Sequence, residues 1–292
     1  MTGLLDRATA AYLGLAVGDA LGATVEFMTP REIAAQYTVH DTMRGGGWLR
    51  LRPGQVTDDT TMALALGQAI LDEGTVTADG AARAFDAWMR AKPVDIGNTV
   101  RRGILRYRRT GETETPENDQ DAGNGAAMRV LPVALATLER SEEEVRRACR
   151  LQAHVTHNCI LSDDATETLA LMLRDALFGA DRIRLLHERA HPLARRHPEF
   201  TFRAVRQQAN PSGYVADTVR AVFQAFFDTD TFEDCLVDVV NRGGDADTTG
   251  AIAGMLAGAV HGLKSIPPRW LEALDPAIRQ ACTTQAAALI AA

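Results

Sequence analysis

Gly243-Gly244-Asp245-Ala246-Asp247-Thr248-Thr249 is the stretch that decides how this chain is to be read. Two glycines free the backbone, two carboxylates follow at alternate positions, and the run enters an apolar helix expected over about 247–263. Almost two hundred residues earlier, Thr57-Asp58-Asp59-Thr60-Thr61 does the same at the start of a helix expected over about 59–73. One Asp or Thr at a helix start is an ordinary cap, accepting hydrogen bonds from free amides and opposing the helix dipole. Two carboxylates with flanking hydroxyls, twice over, exceed what a cap requires. A fold that joins the clusters gathers Asp58, Asp59, Asp245 and Asp247 with the hydroxyls of Thr57 and Thr248. So many anions can share a site only if cations neutralise them, and oxygen-only ligation selects hard ions such as Mg²⁺, Mn²⁺ or Ca²⁺ over zinc. The leading expectation is a two-metal hydrolase.

Working outward, periodicity is helical almost throughout. Helices are expected over about 5–21, 59–73, 77–91, 97–110, 124–138, 142–154, 161–178, 183–197, 212–227, 231–242, 247–263 and 275–290, with at most a short extended pair within 39–51. The expected class is all-α, as a single domain over 1–292, since no low-complexity linker divides the chain. Loops rich in Gly, Asn, Asp and Pro fall at 18–30, 40–58, 92–98, 112–125, 205–213 and 241–248, and are expected to converge at one end of the helical body.

The 292 residues are 46% hydrophobic and 24% charged, enough for a large core, and the net charge of -7 argues against a nucleic-acid partner. Arg101-Arg102 and Arg106 to Arg109 read as solvated helix faces or a docking edge for an anion. The four cysteines form no C-x-x-C pair, which argues against a zinc site or disulfide framework. The start resembles no signal peptide, and the longest apolar run, Ala251 to Val260, is too short to span a bilayer. A cytoplasmic, monomeric protein without a transmembrane segment is expected.

Three further elements carry chemistry. Asp19 lies near the end of an apolar helix, where the dipole disfavours an anion, so a neighbouring loop or a metal's outer shell must compensate it. Glu26 follows in a turn, available as general acid or base. Asp95-Ile96-Gly97-Asn98-Thr99 opens a helix whose exposed amides suit a phosphate. Gly123-Asn124-Gly125-Ala126-Ala127-Met128-Arg129 permits close backbone approach, with Arg129 a partner for a carboxylate or phosphate. Turn chemistry alone explains either Gly-Asn stretch about as well. His157 stands out for its polar setting, although a satisfied core histidine would look the same; His187, His191 and His197 read as solvated.

These blocks, together with Gly18-Asp19-Ala20-Leu21-Gly22, occur in the order seen in ADP-ribosylglycohydrolases, and the chain resembles that family nearly end to end. Gly14 to Phe27 and Gly45-Gly46-Gly47-Trp48-Leu49-Arg50-Leu51 are most similar to the dinitrogenase reductase-activating glycohydrolases. The resemblance implies an all-α fold and two Mn²⁺ (or Mg²⁺) ions held by Thr57, Asp58, Asp59, Asp245, Asp247 and Thr248. It implies hydrolysis of the bond between ADP-ribose and a protein arginine, with the nitrogenase iron protein as target. A PII signalling protein as regulator, and reversible membrane association through a partner, also follow from it. Asp95, Glu26 and Asp58 would then be catalytic, and Gly97, Asn98, Thr99, Gly123, Asn124, Gly125, Met128 and His157 would hold the substrate. Close relatives often read Thr-His-Asn-His-Pro where this chain has Thr156-His157-Asn158-Cys159-Ile160. Serine-linked or O-acyl ADP-ribose is the alternative substrate, and an ADP-ribose-binding regulator the alternative class. The completeness of both acidic clusters favours an enzyme.

Overall fold

The computed structural model describes residues 2–119 and 122–291. Gln120 and Asp121, within the loop expected over 112–125, lie outside the described residues, as do Met1 and Ala292. In chain order the α-helices are α1 (Thr2–Gly22), α2 (Pro30–Tyr37), α3 (Asp58–Glu73), α4 (Ala78–Arg90), α5 (Asn98–Thr110), α6 (Leu131–Ala136), α7 (Glu142–Ala153), α8 (Ile160–Leu177), α9 (Arg182–Leu185), α10 (His191–Arg196), α11 (Val215–Asp228), α12 (Phe232–Val240), α13 (Ala246–His261), α14 (Pro268–Ala273) and α15 (Pro276–Ala291). Among the described residues there is no strand; the extended pair expected within 39–51 reduces to one antiparallel bridge, Gly46 to Leu51. The all-α expectation holds.

The architecture is built around α1 and α13. α1 is buried on every side from Ala8 to Gly22, and α13 from Ala246 to Ala259, as befits helices apolar around their whole circumference. They run antiparallel with glycine faces in contact. Gly14, Gly18 and Gly22 of α1 meet the backbones of Gly254, Gly250 and Ala246, and a Cβ at any of the three would overlap the facing carbonyl. Glycine inside a helix costs roughly 0.5–1 kcal/mol relative to alanine. Backbone-on-backbone contact between two central helices offsets that cost. Four of the outer helices start conventionally. The side chains of Thr77 and Thr231 cap α4 and α12, while Thr29 with Glu32 and Ser141 with Glu144 form capping boxes on α2 and α7.

Several expected elements differ. The helix expected over 124–138 is cut to α6, because Asn124 accepts turn bonds from Ala127 and Met128 and Pro132 suits the first turn of a helix beginning later. The helix expected over 183–197 is interrupted by a π-helical turn, Leu186–Ala190, between α9 and α10. His197, expected to be solvated, is partly buried and bonded through Nε2 to Asp164 Oδ2 at 2.5 Å. α2 and α14 are too short to show periodicity in the sequence. All four cysteines are buried and free, and no helix among the described residues is long and apolar enough to cross a membrane.

Candidate functional site

The antiparallel crossing sets the end of α1 beside the start of α13, and Asp19 ties the start of α3 to both. Its fully buried carboxylate accepts from Thr57 N (2.9 Å), Thr57 Oγ1 (2.9 Å), Thr60 N (3.1 Å) and Thr60 Oγ1 (2.5 Å). It thus caps α3 from another helix, answering the compensation its position demanded. Burial raises its pKa to about 6 against the pull of those four bonds.

With α3 pinned, its acids meet those of α13. Thr57 Oγ1 lies 3.4 Å from both Asp59 Oδ2 and Asp247 Oδ2, and Thr248 Oγ1 lies 3.3 Å from Asp59 Oδ2. Thr57 has one hydroxyl hydrogen, and the shorter contact gives it to Asp19, so lone pairs face the other two carboxylates. Asp59 Oδ1 is buried without any hydrogen-bond partner. Lone pairs converging on carboxylate oxygens, beside an orphaned anionic oxygen, are what a cation would satisfy. The remaining acids are held singly. Asp58 Oδ2 accepts from Gly97 N (3.4 Å), Asp245 Oδ2 from Asn124 Nδ2 (2.6 Å), Asp247 Oδ1 from Thr248 N (2.9 Å) and Glu26 Oε2 from Trp48 Nε1 (2.5 Å). Oxygens of Glu26, Asp95 and Asp247 lie within 4.8 Å of one another, so this trio could hold a metal ion. Of these three only Asp247 was expected as a ligand.

Burial and mutual repulsion act on the whole group. Asp58 is raised to about 7 by burial and by Asp95 and Asp19, and Glu26 to about 8 by burial, despite the Trp48 bond, with Asp245, Asp95 and Asp58 adding to it. Asp59 and Asp247 are pushed well above the carboxylate range, and Asp95 is raised, each chiefly by burial. Without a cation, burial favours the protonated forms of these groups, and a divalent ion would replace those protons.

Above the acids opens a cavity of about 520 Å³. Each of the six loops expected to converge contributes to it: Glu26 and Phe27; Trp48; Asp95 to Asn98; Gly123 to Gly125; Gly213; Asp245 and Asp247. Asp58, Thr99, Val100, Arg101, Met128, His157 and Thr248 complete the lining. Thr57 and Asp59, expected as ligands, lie buried behind it. The start of α5 carries no side-chain cap, so its amides are available to an anion.

His157 is clamped from two sides. Side chains at Gly123 or Gly125 would collide with its ring, so the glycines let that loop lie against it. On the other side Arg129 Nη2 donates to Thr156 Oγ1 at 2.8 Å, and Thr156 Oγ1 lies 2.8 Å from His157 Nδ1. Thr156 Oγ1 thus accepts from the guanidinium and is paired with Nδ1, holding the ring in place with Nε2 at the glycine side. Burial, then Arg129 and Arg102, hold His157 neutral by lowering its pKa to about 3. The expectation that Arg129 pairs with a carboxylate or phosphate fails. Its guanidinium is fully buried over the Phe85 ring, 4.2 Å from the centroid, and donates to Gln152 and Thr156. Its pKa falls to about 9 through burial.

Sequence reasoning left Phe27, Trp48 and Gly213 out of the site. Trp48 had a signal: Gly45, Gly46 and Gly47 precede it, all at positive φ (67°, 83° and 64°), a turn only glycine makes readily. Cys159, the departure from close relatives, is a buried residue at the start of α8 with Sγ 4.0 Å from Asp119 O, outside the cavity lining.

The chain matches the family model described as ADP-ribosylglycohydrolase over residues 1–292. It is 50% identical to the ADP-ribosyl-[dinitrogen reductase] glycohydrolase of Rhodospirillum rubrum, covering 98% of this chain and 96% of that protein. It is 36% identical to the ADP-ribosylarginine hydrolase Tri1 of Pseudomonas putida (strain GB-1), covering 92% of this chain and 74% of the other. Among solved structures, an ADP-ribosylglycohydrolase-related protein complex superposes with a TM-score of 0.87 at 37% identity, over 100% of this chain and 99% of that one.

Proposed function

The chain belongs to the ADP-ribosylglycohydrolase family, and from that premise we propose that it hydrolyses the N-glycosidic bond between ADP-ribose and a protein arginine. The observation that carries the reading is the meeting of Asp58, Asp59, Asp245 and Asp247 beneath one cavity, with Asp59 Oδ1 lacking any partner. The arginine linkage is supported by the relatives named for that substrate. Two Mn²⁺ (or Mg²⁺) ions would be held by Thr57, Asp58, Asp59, Asp245, Asp247 and Thr248. Bound there, divalent ions supply positive charge that lowers the pKa of water and holds ribose hydroxyls.

The remaining work falls to this chain's own groups. The start of α5 at Gly97, Asn98 and Thr99 takes the pyrophosphate, with the Gly97 amide shared with Asp58 Oδ2 and no side-chain cap on the turn. Gly123, Asn124, Gly125 and Met128 shape the wall on which the nucleotide lies, and His157 presents its neutral ring there. Asp58, Glu26 and Asp95 stand where the ribosyl bond breaks. Their carboxylates stabilise the oxocarbenium-like charge on the sugar as the bond from C1″ to the guanidine nitrogen lengthens. A water oxygen takes C1″, and the proton it loses returns to the departing guanidine through Glu26 or Asp95. The physiological target in this reading is the nitrogenase iron protein, with a PII protein as regulator and a monomer as the acting unit.

The test is release of free ADP-ribose from an ADP-ribosylated arginine protein, with and without Mn²⁺. Metal-dependent release that Asp247→Ala abolishes, with its fold retained by circular dichroism, is the expected result. Full activity in Asp247→Ala would remove that residue from the centre. Release from serine-linked or O-acyl ADP-ribose alone would move the linkage, and binding without release from any of them would make the protein a regulator.

A further inference from the structure

We propose that Phe27 and Trp48 form an aromatic wedge at the cavity mouth that receives the guanidinium of the modified arginine. The inference rests on the arginine-linkage reading above, and names the residues that would recognise that side of the bond.

Both rings line the cavity, yet Phe27 is 63% and Trp48 52% exposed. Their centroids are 5.3 Å apart and their planes meet at 48°, so they make an open notch, not a closed stack. Single exposed aromatics are commonplace, but two in contact at the rim of a polar cavity form a surface that water solvates poorly. The backbone gives something up to put them there. Phe27 sits at φ 61°, a left-handed conformation that a residue with a Cβ disfavours, held by its N–H donating to Gly244 O at 2.7 Å. Its exposed ring gains little packing in return. Trp48 is delivered by the three consecutive left-handed glycines, and Gly47 is pressed so closely on Ala23 that a side chain would collide with its carbonyl. Strain and exposure retained together at one point indicate a surface kept for a ligand.

Charge decides which ligand. The Trp48 indole N–H is taken by Glu26, which fixes the ring beside a carboxylate, and Asp95 shares the same cavity. A cation therefore meets aromatic faces and carboxylates at one place, the combination that favours guanidinium over neutral groups. The anionic part of the substrate has its own donors in the same lining, the uncapped start of α5 and the 123–128 loop.

The experiment uses the Mn²⁺-loaded protein with Phe27→Leu, Trp48→Leu and Trp48→Phe. For each, KM and kcat on ADP-ribosyl-arginine are read beside the Kd of free ADP-ribose by calorimetry. Phe27→Leu keeps the backbone demand and the apolar volume while deleting the ring. It and Trp48→Leu should each raise KM about three- to twentyfold, the range of one cation–π contact, with the Kd of ADP-ribose unchanged. Trp48→Phe keeps a ring but loses the bond to Glu26, so its KM should stay within about twofold of wild type while kcat falls. KM unchanged in both leucine variants overturns the wedge, and so does an equal loss of ADP-ribose affinity, which would assign the rings to the nucleotide. A wild-type protein inactive on arginine overturns the linkage reading and the wedge's occupant together.

Discussion

Four self-capped helices of the outer shell and three helices at the site begin on opposite plans. α2, α4, α7 and α12 each close their first turn with a side chain of their own, Thr29, Thr77, Ser141 and Thr231. α3, α5 and α13 begin at Thr57, Gly97 and Asp245 with no such bond. At α3 the missing cap comes from Asp19, on a different helix and 38 residues away in sequence. The difference teaches where local and global demands part. A helix that caps itself spends its polar side chain on its own amides. One capped from outside, or not at all, keeps carboxylates and amides free to face a ligand.

The largest break in that comparison should come from Asp19→Ala. Four donors would lose their acceptor inside a sealed core, at about 1–3 kcal/mol apiece, so a loss of several kcal/mol in chemical denaturation is expected, with loss of Mn²⁺ binding by calorimetry. Wild-type stability would mean that α3 holds its start without help. The next effect is on pH. Asp19, Asp58 and Glu26 are raised to about 6, 7 and 8 from ordinary values of 3.8, 3.8 and 4.5. The folded, metal-free chain therefore binds more protons than the unfolded one across that interval, and its stability is greatest below about pH 4 from these groups and declines as pH rises towards 8. Thermal melts in chelator should show Tm falling from pH 5 to pH 8, and added Mn²⁺ should restore it most at the upper end. A chelated protein with a flat or rising Tm over that range would refute the account. The smallest effect belongs to the periphery. Ser141→Ala should cost about 1 kcal/mol and leave turnover untouched; a fall in kcat would erase the distinction between the two kinds of helix start.

Much of this was legible before any coordinates. The 3.6-residue periodicity gave the helical class, and paired acids at two helix starts pointed to a shared site because no cap needs so much charge. Asp19 was legible as an anomaly, an anion where the dipole repels one, and its resolution lies in four donors from another helix. What stayed hidden depends on partners distant in sequence. Arg129 reads as a cation seeking an anion, but burial against Phe85 and Gln152 decides its role. The helix expected over 124–138 has the right composition, but the composition does not show the His157 ring against which Gly123 and Gly125 lie. Phe27 and Trp48 are apolar letters that composition assigns to the core, and exposure is a property of the fold alone.

The glycine seam between α1 and α13 carries a consequence for anyone interpreting natural variation in this protein. Gly14, Gly18, Gly250 and Gly254 touch no substrate and carry no charge, and replacing one with alanine adds a single carbon. Yet that carbon would wedge apart the two helices whose ends set the spacing between Asp19 and Asp247. Innocuous-looking changes there should be classed with lesions of the acidic residues themselves, while bolder changes on the outer helices can be set aside as background.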